Sequence, residues 1–122
     1  MYTYNAKVIK VVDGDTIDLE IDLGFHIKIT KRARFNGIDT YEKNSRIVSE
    51  REKAAKATAF VMYRIENKIV KIKTNIDKED KYGRILVEVY MNDIDFQNNN
   101  SLNIMLVQEG LAMPYDGGKK NV

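Results

Sequence analysis

Three short stretches of this 122-residue chain hold the residue types that phosphate or metal chemistry requires. The first is Asp13-Gly14-Asp15-Thr16. Asp-Gly is a turn dipeptide, and a plain hairpin would account for it. Parity adds a second possibility: Asp15 falls on the same side as Ile17, Leu19 and Ile21, so its carboxylate points toward an apolar interior or its mouth. A carboxylate there is costly unless a cation or a metal ion compensates it. The second stretch is Arg34 followed by Asp39-Thr40-Tyr41-Glu42, with two acids and a hydroxyl within four residues. Such a hard-oxygen cluster suits calcium or magnesium, and a solvated loop is the bland alternative. The third is Asp80-Lys81-Tyr82-Gly83-Arg84, where a glycine turn could bring Lys81, Tyr82 and Arg84 toward one point. A surface turn with its cations in water would look the same. Hard-cation ligands, a further carboxylate and an arginine are together what phosphodiester cleavage needs.

Composition removes most other chemistries. There is no cysteine, hence no disulfide, thiol nucleophile or cysteine-based zinc site, and the lone His26 excludes multi-histidine metal sites. The chain is 43% hydrophobic and 31% charged, ordinary for a globular protein. No apolar run approaches the roughly 20 residues of a membrane helix. The formal net charge of +2 is too small to argue for nucleic acid, so only the placement of charges can do so. A chain starting at Met1 without an export signal is expected in the cytoplasm, and monomer is the default at this size.

The elements that must position these groups are legible in outline. Tyr4 to Val12 is rich in β-branched residues, and Thr16 to Asp22 alternates polar and apolar, which predicts a hairpin about Asp13-Gly14. Ile27 to Phe35 predicts a third strand, with Ile27, Ile29, Ala33 and Phe35 on one face and Lys28, Arg32 and Arg34 on the other. After a polar loop from about Asp39 to Val48, Ser49-Glu50-Arg51-Glu52 has the capping-box form. It predicts a helix to about Ile65, with Ala55, Ala59, Met62 and Ile65 as its apolar stripe. Further strands are predicted over Ile69 to Thr74 and Arg84 to Met91, with a polar turn over Asn92 to Asn100. A short helix capped by Ser101 buries Leu102, Met105 and Leu106 and ends at Gly110. The order matches an α+β five-stranded Greek-key OB barrel, with a helix between strands three and four and another after strand five. One domain over residues 1–122 is expected, with about 116–122 as a flexible tail.

Taken in register, Val8 to Thr16, Arg34 with Asp39 to Glu42, Asp80 to Arg84, and Leu106 to Ala112 resemble the staphylococcal nuclease (thermonuclease) family. The likeness runs from about Tyr4 to Tyr115. It implies a calcium-dependent endonuclease, a hydrolase of DNA, RNA or both, that leaves 3′-phosphate ends. By the same resemblance, Asp15 and Asp39 bind one calcium ion through their carboxylates, and Thr40 adds its backbone carbonyl; other divalent ions are alternatives. Glu42 positions or deprotonates the attacking water. Arg34 and Arg84 hold the phosphate and neutralise the five-coordinate transition state. Lys81, Tyr82 and Tyr115 contact the nucleotide. Nucleic acid is thus the implied partner.

The chain departs from the family pattern in places. Tyr41 stands where the family has a proline, so the loop that aims Glu42 is less stiff, or else the ring stacks on substrate. The chain stops soon after Tyr115, a short form without the family's further C-terminal helix, and Tyr115 itself follows Pro114. The basic run Lys28, Lys31 and Arg32 could track a phosphate backbone or simply be solvated. The rival to an enzyme is a non-catalytic OB module that binds single strands or a protein partner. Such a module gains nothing from three acids that repel phosphate when no metal is bound.

Overall fold

Twelve consecutive strand residues, Tyr2–Asp13, form β1, and this strand serves two neighbours at once. It pairs antiparallel with β2 (Thr16–Asp22) along one edge and with β5 (Ile69–Glu79) along the other. β3 (Lys28–Phe35) pairs with β2, and β6 (Ile85–Tyr90) pairs with β5. A parallel contact, Ala33 to Phe35 against Ile85 to Val87, closes the barrel in the order β1-β2-β3-β6-β5. The expected five-stranded barrel is therefore present. The computed structural model describes residues 2–79 and 83–115, so Lys81, Tyr82 and the tail expected over 116–122 lie outside the described residues.

β1 reaches both partners because it is bulged. Ala6 and Val8 are buried, and then Val11, which breaks strict alternation. The register with β2 shifts between Val8 and Lys10 and again between Val11 and Asp13. Each extra residue bends the strand and re-aims the side chains that follow. The barrel interior is filled by Val8, Ile17, Leu19, Phe35, Ile72, Val87 and Val89, all essentially inaccessible.

Among the described residues, three helices lie outside the barrel: α1 (Val48–Ile65), α2 (Asp93–Gln97) and α3 (Leu102–Gln108). α1 differs from its expected form in two ways. It starts at Val48 with Ile47 in the cap position and no side-chain cap, so Ser49 is not the cap. Ser45 instead takes the Ile47 N–H (3.1 Å) and donates to Glu50 Oε2 (3.0 Å), ordering the entry one turn earlier. Its buried stripe is Ala54, Ala57, Val61 and Ile65, whereas Ala55, Ala59 and Met62 face outward. The hairpin sets that rotation. A Cβ on Gly14 would stand 2.7 Å from the Ala57 Cβ, so the β1–β2 turn presses directly on this face.

Asn92 to Asn100, expected as a turn, contains α2, capped by the Asn92 side chain accepting from Asp95 N (2.8 Å). α3 is capped by Ser101 as expected, and Gly110 follows it at φ +72°. Its buried Asn103 is fully satisfied: the amide donates to Asn36 O (2.9 Å) and Val87 O (3.0 Å), and its oxygen accepts from Val89 N (3.1 Å). That one side chain fastens α3 to β6 and to the turn after β3. Two three-residue strands, β4 (Ile38–Thr40), which was not foreseen, and β7 (Ala112–Pro114), pair antiparallel beside the barrel. Among the described residues, no helix is long and apolar enough to cross a membrane.

Candidate active site

The β1–β2 turn contains only Gly14 and Asp15, because Asp13 already pairs with Thr16. The Asp15 carbonyl accepts Phe35 N–H at 2.8 Å, which pins the turn to the end of β3. Arg34 precedes Phe35 and sits directly across from Thr16 in the ladder. Beyond it, Asn36 and Gly37 (φ +79°) reverse the chain into β4. Pairing of Asp39 with Met113 in β7 fixes where β4 lies. Three separate pieces of backbone thus deliver Asp15, Arg34 and Asp39 to one end of the barrel.

The side chains meet there. Arg34 Nη2 donates to Asp39 Oδ1 at 3.1 Å, Nη1 donates to Ile38 O at 3.3 Å, and Nη1 lies 3.6 Å from Asp15 Oδ2. Asp15, only 9% exposed, also accepts from Thr40 N (3.2 Å) and from the Thr16 hydroxyl (3.0 Å). Arg84 approaches the same Thr16 hydroxyl at 3.5 Å from the start of β6. An open cavity of about 230 Å³ is lined by Asp13, Asp15, Thr16, Arg34, Asp39, Thr40, Tyr41, Glu42 and Arg84. Six residues singled out from the sequence, Asp15, Arg34, Asp39, Thr40, Glu42 and Arg84, therefore share one cleft. Tyr115 lies beside them: the Arg34 guanidinium is 5.5 Å from its ring centroid, and its N–H donates to Gly37 O (2.8 Å).

Asp13 was absent from the sequence-derived set. Its Oδ1 accepts the Asp15 backbone N–H at 3.2 Å, as in an Asx-turn. Burial, then the hydrogen bond and charge of Asp15, push the Asp13 carboxyl up to about 6. Burial would raise Asp15 too, but the Asp13 hydrogen bond, the Arg34 charge, the Thr40 N–H and the Thr16 hydroxyl together hold it below the usual carboxylate range. The two carboxyls are thus shifted in opposite directions, Asp13 up and Asp15 down. A signal existed in the Asp-x-Asp spacing, but the bulge at Val12 that turns Asp13 inward has no sequence signature of its own.

The basic face of β3 is less available than its composition suggests. Arg32 grips Asp18 on β2 with two bonds (2.8 and 3.2 Å), and Lys28 Nζ is 3.8 Å from Glu20. These cross-strand pairs neutralise Lys28 and Arg32, two of the three cations for which backbone tracking and plain solvation were the alternatives.

The family described as staphylococcal nuclease homologue matches residues 32–121. This chain belongs to the staphylococcal nuclease family. Thermonuclease from Staphylococcus intermedius is 31% identical over 103 residues, covering 84% of this chain and 55% of the relative. Thermonuclease from Staphylococcus hyicus is 30% identical over 106 residues, 87% of this chain and 56% of the relative. An uncharacterized protein of Methanocaldococcus jannaschii is 32% identical over 132 residues, 92% of this chain and 59% of the relative. The chain thus spans somewhat over half the length of the relatives it matches.

Family membership raises the question of a divalent cation. Among the described residues, no three Asp, Glu, His or Cys side chains converge tightly enough to cage an ion unaided. The donors in the cleft are nevertheless all oxygens, and four carboxyl groups (Asp13, Asp15, Asp39, Glu42) face two guanidinium groups (Arg34, Arg84). A surplus of carboxyl over guanidinium groups, with Asp15 and Asp39 on the two terminal nitrogens of Arg34, fits a hard cation that keeps several waters.

Proposed function

We propose that this chain is a calcium-dependent nuclease that hydrolyses phosphodiester bonds within strands of DNA, RNA or both. Support comes above all from one relationship: Arg34 faces Asp15 and Asp39 together while lining the same cleft as Glu42 and Arg84. In this proposal Asp15, Asp39 and the Thr40 carbonyl hold the ion. Bound there, calcium would supply positive charge that polarises the phosphate.

The chain's own residues do the rest. Glu42 accepts a proton from the water that attacks phosphorus. Arg34 and Arg84 donate to the non-bridging oxygens, whose charge grows as the five-coordinate state forms, and a planar fork suits two such oxygens. Removing one donor of this kind costs about a hundred- to thousandfold in rate. Tyr115, Lys81 and Tyr82 bind the nucleotide. Asp13 keeps the Asp15 turn in place through the backbone N–H it accepts.

The test is digestion of single- and double-stranded DNA and of RNA with calcium, with magnesium and with chelator. Cleavage that requires a divalent ion, and that is lost in Glu42→Gln, is the expected result. Tight strand binding without cleavage under any metal would instead favour a non-catalytic OB module.

A further inference from the structure

Tyr41 lines the cleft between Thr40 and Glu42, and its ring is half-buried there. On α1, Lys53 brings its ammonium to 5.0 Å from the Tyr41 ring centroid. Lys53 is exposed, and among the described residues no carboxylate lies within salt-bridge distance of it. A cation without a carboxylate partner therefore stands on an aromatic ring at the border of a cleft built around anions. The contact steadies the ring, since an ammonium over a tyrosine face is attractive. It also leaves Lys53 with donors to spare, because a ring engages only one side of an ammonium.

We infer that Tyr41 and Lys53 form a substrate subsite on the α1 side of the cleft for the nucleotide next to the one cleaved. The Tyr41 ring stacks on that nucleotide's base, and the Lys53 ammonium takes its phosphate. Stacking requires an unpaired base, so this subsite selects single strands, or ends and loops, over intact duplex. It reads no base identity, because every base has a π-face. The subsite rests on the nuclease proposal for the same cleft and extends it to a strand of at least two nucleotides.

Cation–ring pairs elsewhere on the surface argue that the placement matters more than the contact. Lys71 and Lys73 lie 4.9 and 5.1 Å from Phe96, and the Arg64 guanidinium lies 3.5 Å from Phe60. Neither Phe60 nor Phe96 lines the cleft, and Lys71 already pairs with Asp93 at 3.0 Å. Among the described residues, Tyr41–Lys53 is the cation–ring pair whose ring lines the cleft and whose cation has no carboxylate within salt-bridge distance.

The experiment measures binding of a fluorescent single-stranded oligothymidine by anisotropy across a salt series, with every variant built on Glu42→Gln to prevent cleavage. Tyr41→Ala is expected to weaken binding about tenfold, and Tyr41→Phe, which keeps the ring, to restore it. Lys53→Met is expected to reduce the salt slope by about 0.7, the loss of one phosphate contact on a single strand. Unchanged affinity in Tyr41→Ala, equal losses in the Ala and Phe variants, or an unchanged slope in Lys53→Met would overturn the subsite. Cleavage by the wild-type chain is scored separately, so a failed nuclease and a failed subsite give different results.

Discussion

Asp15 and Asp39, one from a hairpin turn and one from a three-residue strand, face the same guanidinium: Arg34 stands 3.6 Å from the first and 3.1 Å from the second. In the proposed nuclease, this arginine acts as a placeholder for the cation. It keeps two carboxylates from repelling one another in a partly dehydrated cleft, and so keeps their oxygens gathered for a cation. In that proposal it would also compete with the cation, because both would use the same oxygens.

Replacing Arg34 by Met should therefore separate binding from chemistry. Cleavage falls about a hundred- to thousandfold, because a donor to the phosphate is gone. Calcium affinity rises, because a neighbouring positive charge is gone. Calorimetric titration beside a cleavage assay measures both, and parallel losses would show that Arg34 only holds the fold together.

Gly14 is required by proximity rather than by its dihedral angles. An added Cβ would meet Ala57 Cβ at 2.7 Å, Thr40 Cγ2 at 3.1 Å and the Ala57 carbonyl carbon at 3.2 Å. Gly14→Ala is expected to lower stability by about 1–3 kcal/mol and to disturb Thr40, and with it Asp39. Adding Ala57→Gly recovers only part of the loss, since the α1 backbone remains in the way. Denaturant unfolding of the single and double variants checks this, and full recovery would mean that the helix can move.

Asp13 predicts a pH dependence in the absence of metal. Its folded pKa of about 6 lies above the ordinary value of 3.8, so between those pH values the folded state binds more protons than the unfolded one. Stability therefore falls as pH rises through that window, and the full cost is present above it. Asp13→Asn keeps an oxygen to accept the Asp15 N–H. It should stabilise the chelated protein at pH 7 by about 1–2 kcal/mol after solvent screening, with the gain vanishing near pH 4. Thermal midpoints in chelator across this range measure the effect; a gain independent of pH would contradict it.

How much of this was legible beforehand depends on what carried each signal. Asp15 was readable because Ile17, Leu19 and Ile21 alternate without a break and end within one turn of it. Arg34 and Asp39 were readable as residue types, but their meeting depends on β4 and β7, whose three residues are too few to show a period. Asp13 escaped because two bulges in β1 destroy the alternation that would have turned it inward. The rotation of α1 escaped because alanines stand on both sides of that helix, and contact with Gly14 chooses between them. Met62, expected in the core, is 41% exposed for this reason. Ser49 had the right spacing to cap α1, yet Ser45 orders its entry through hydrogen bonds that no short motif encodes.

The most direct test of the shared cation is calcium-dependent stabilisation of the wild-type chain and of Asp39→Asn. At a calcium concentration about a hundred times its dissociation constant, one site predicts about 2.7 kcal/mol of added stability in the wild type. The substituted chain, having lost a carboxylate beside Asp15, is predicted to gain almost none. Equal stabilisation of the two proteins by calcium, or none in either, would contradict a single ion held jointly by Asp15 and Asp39.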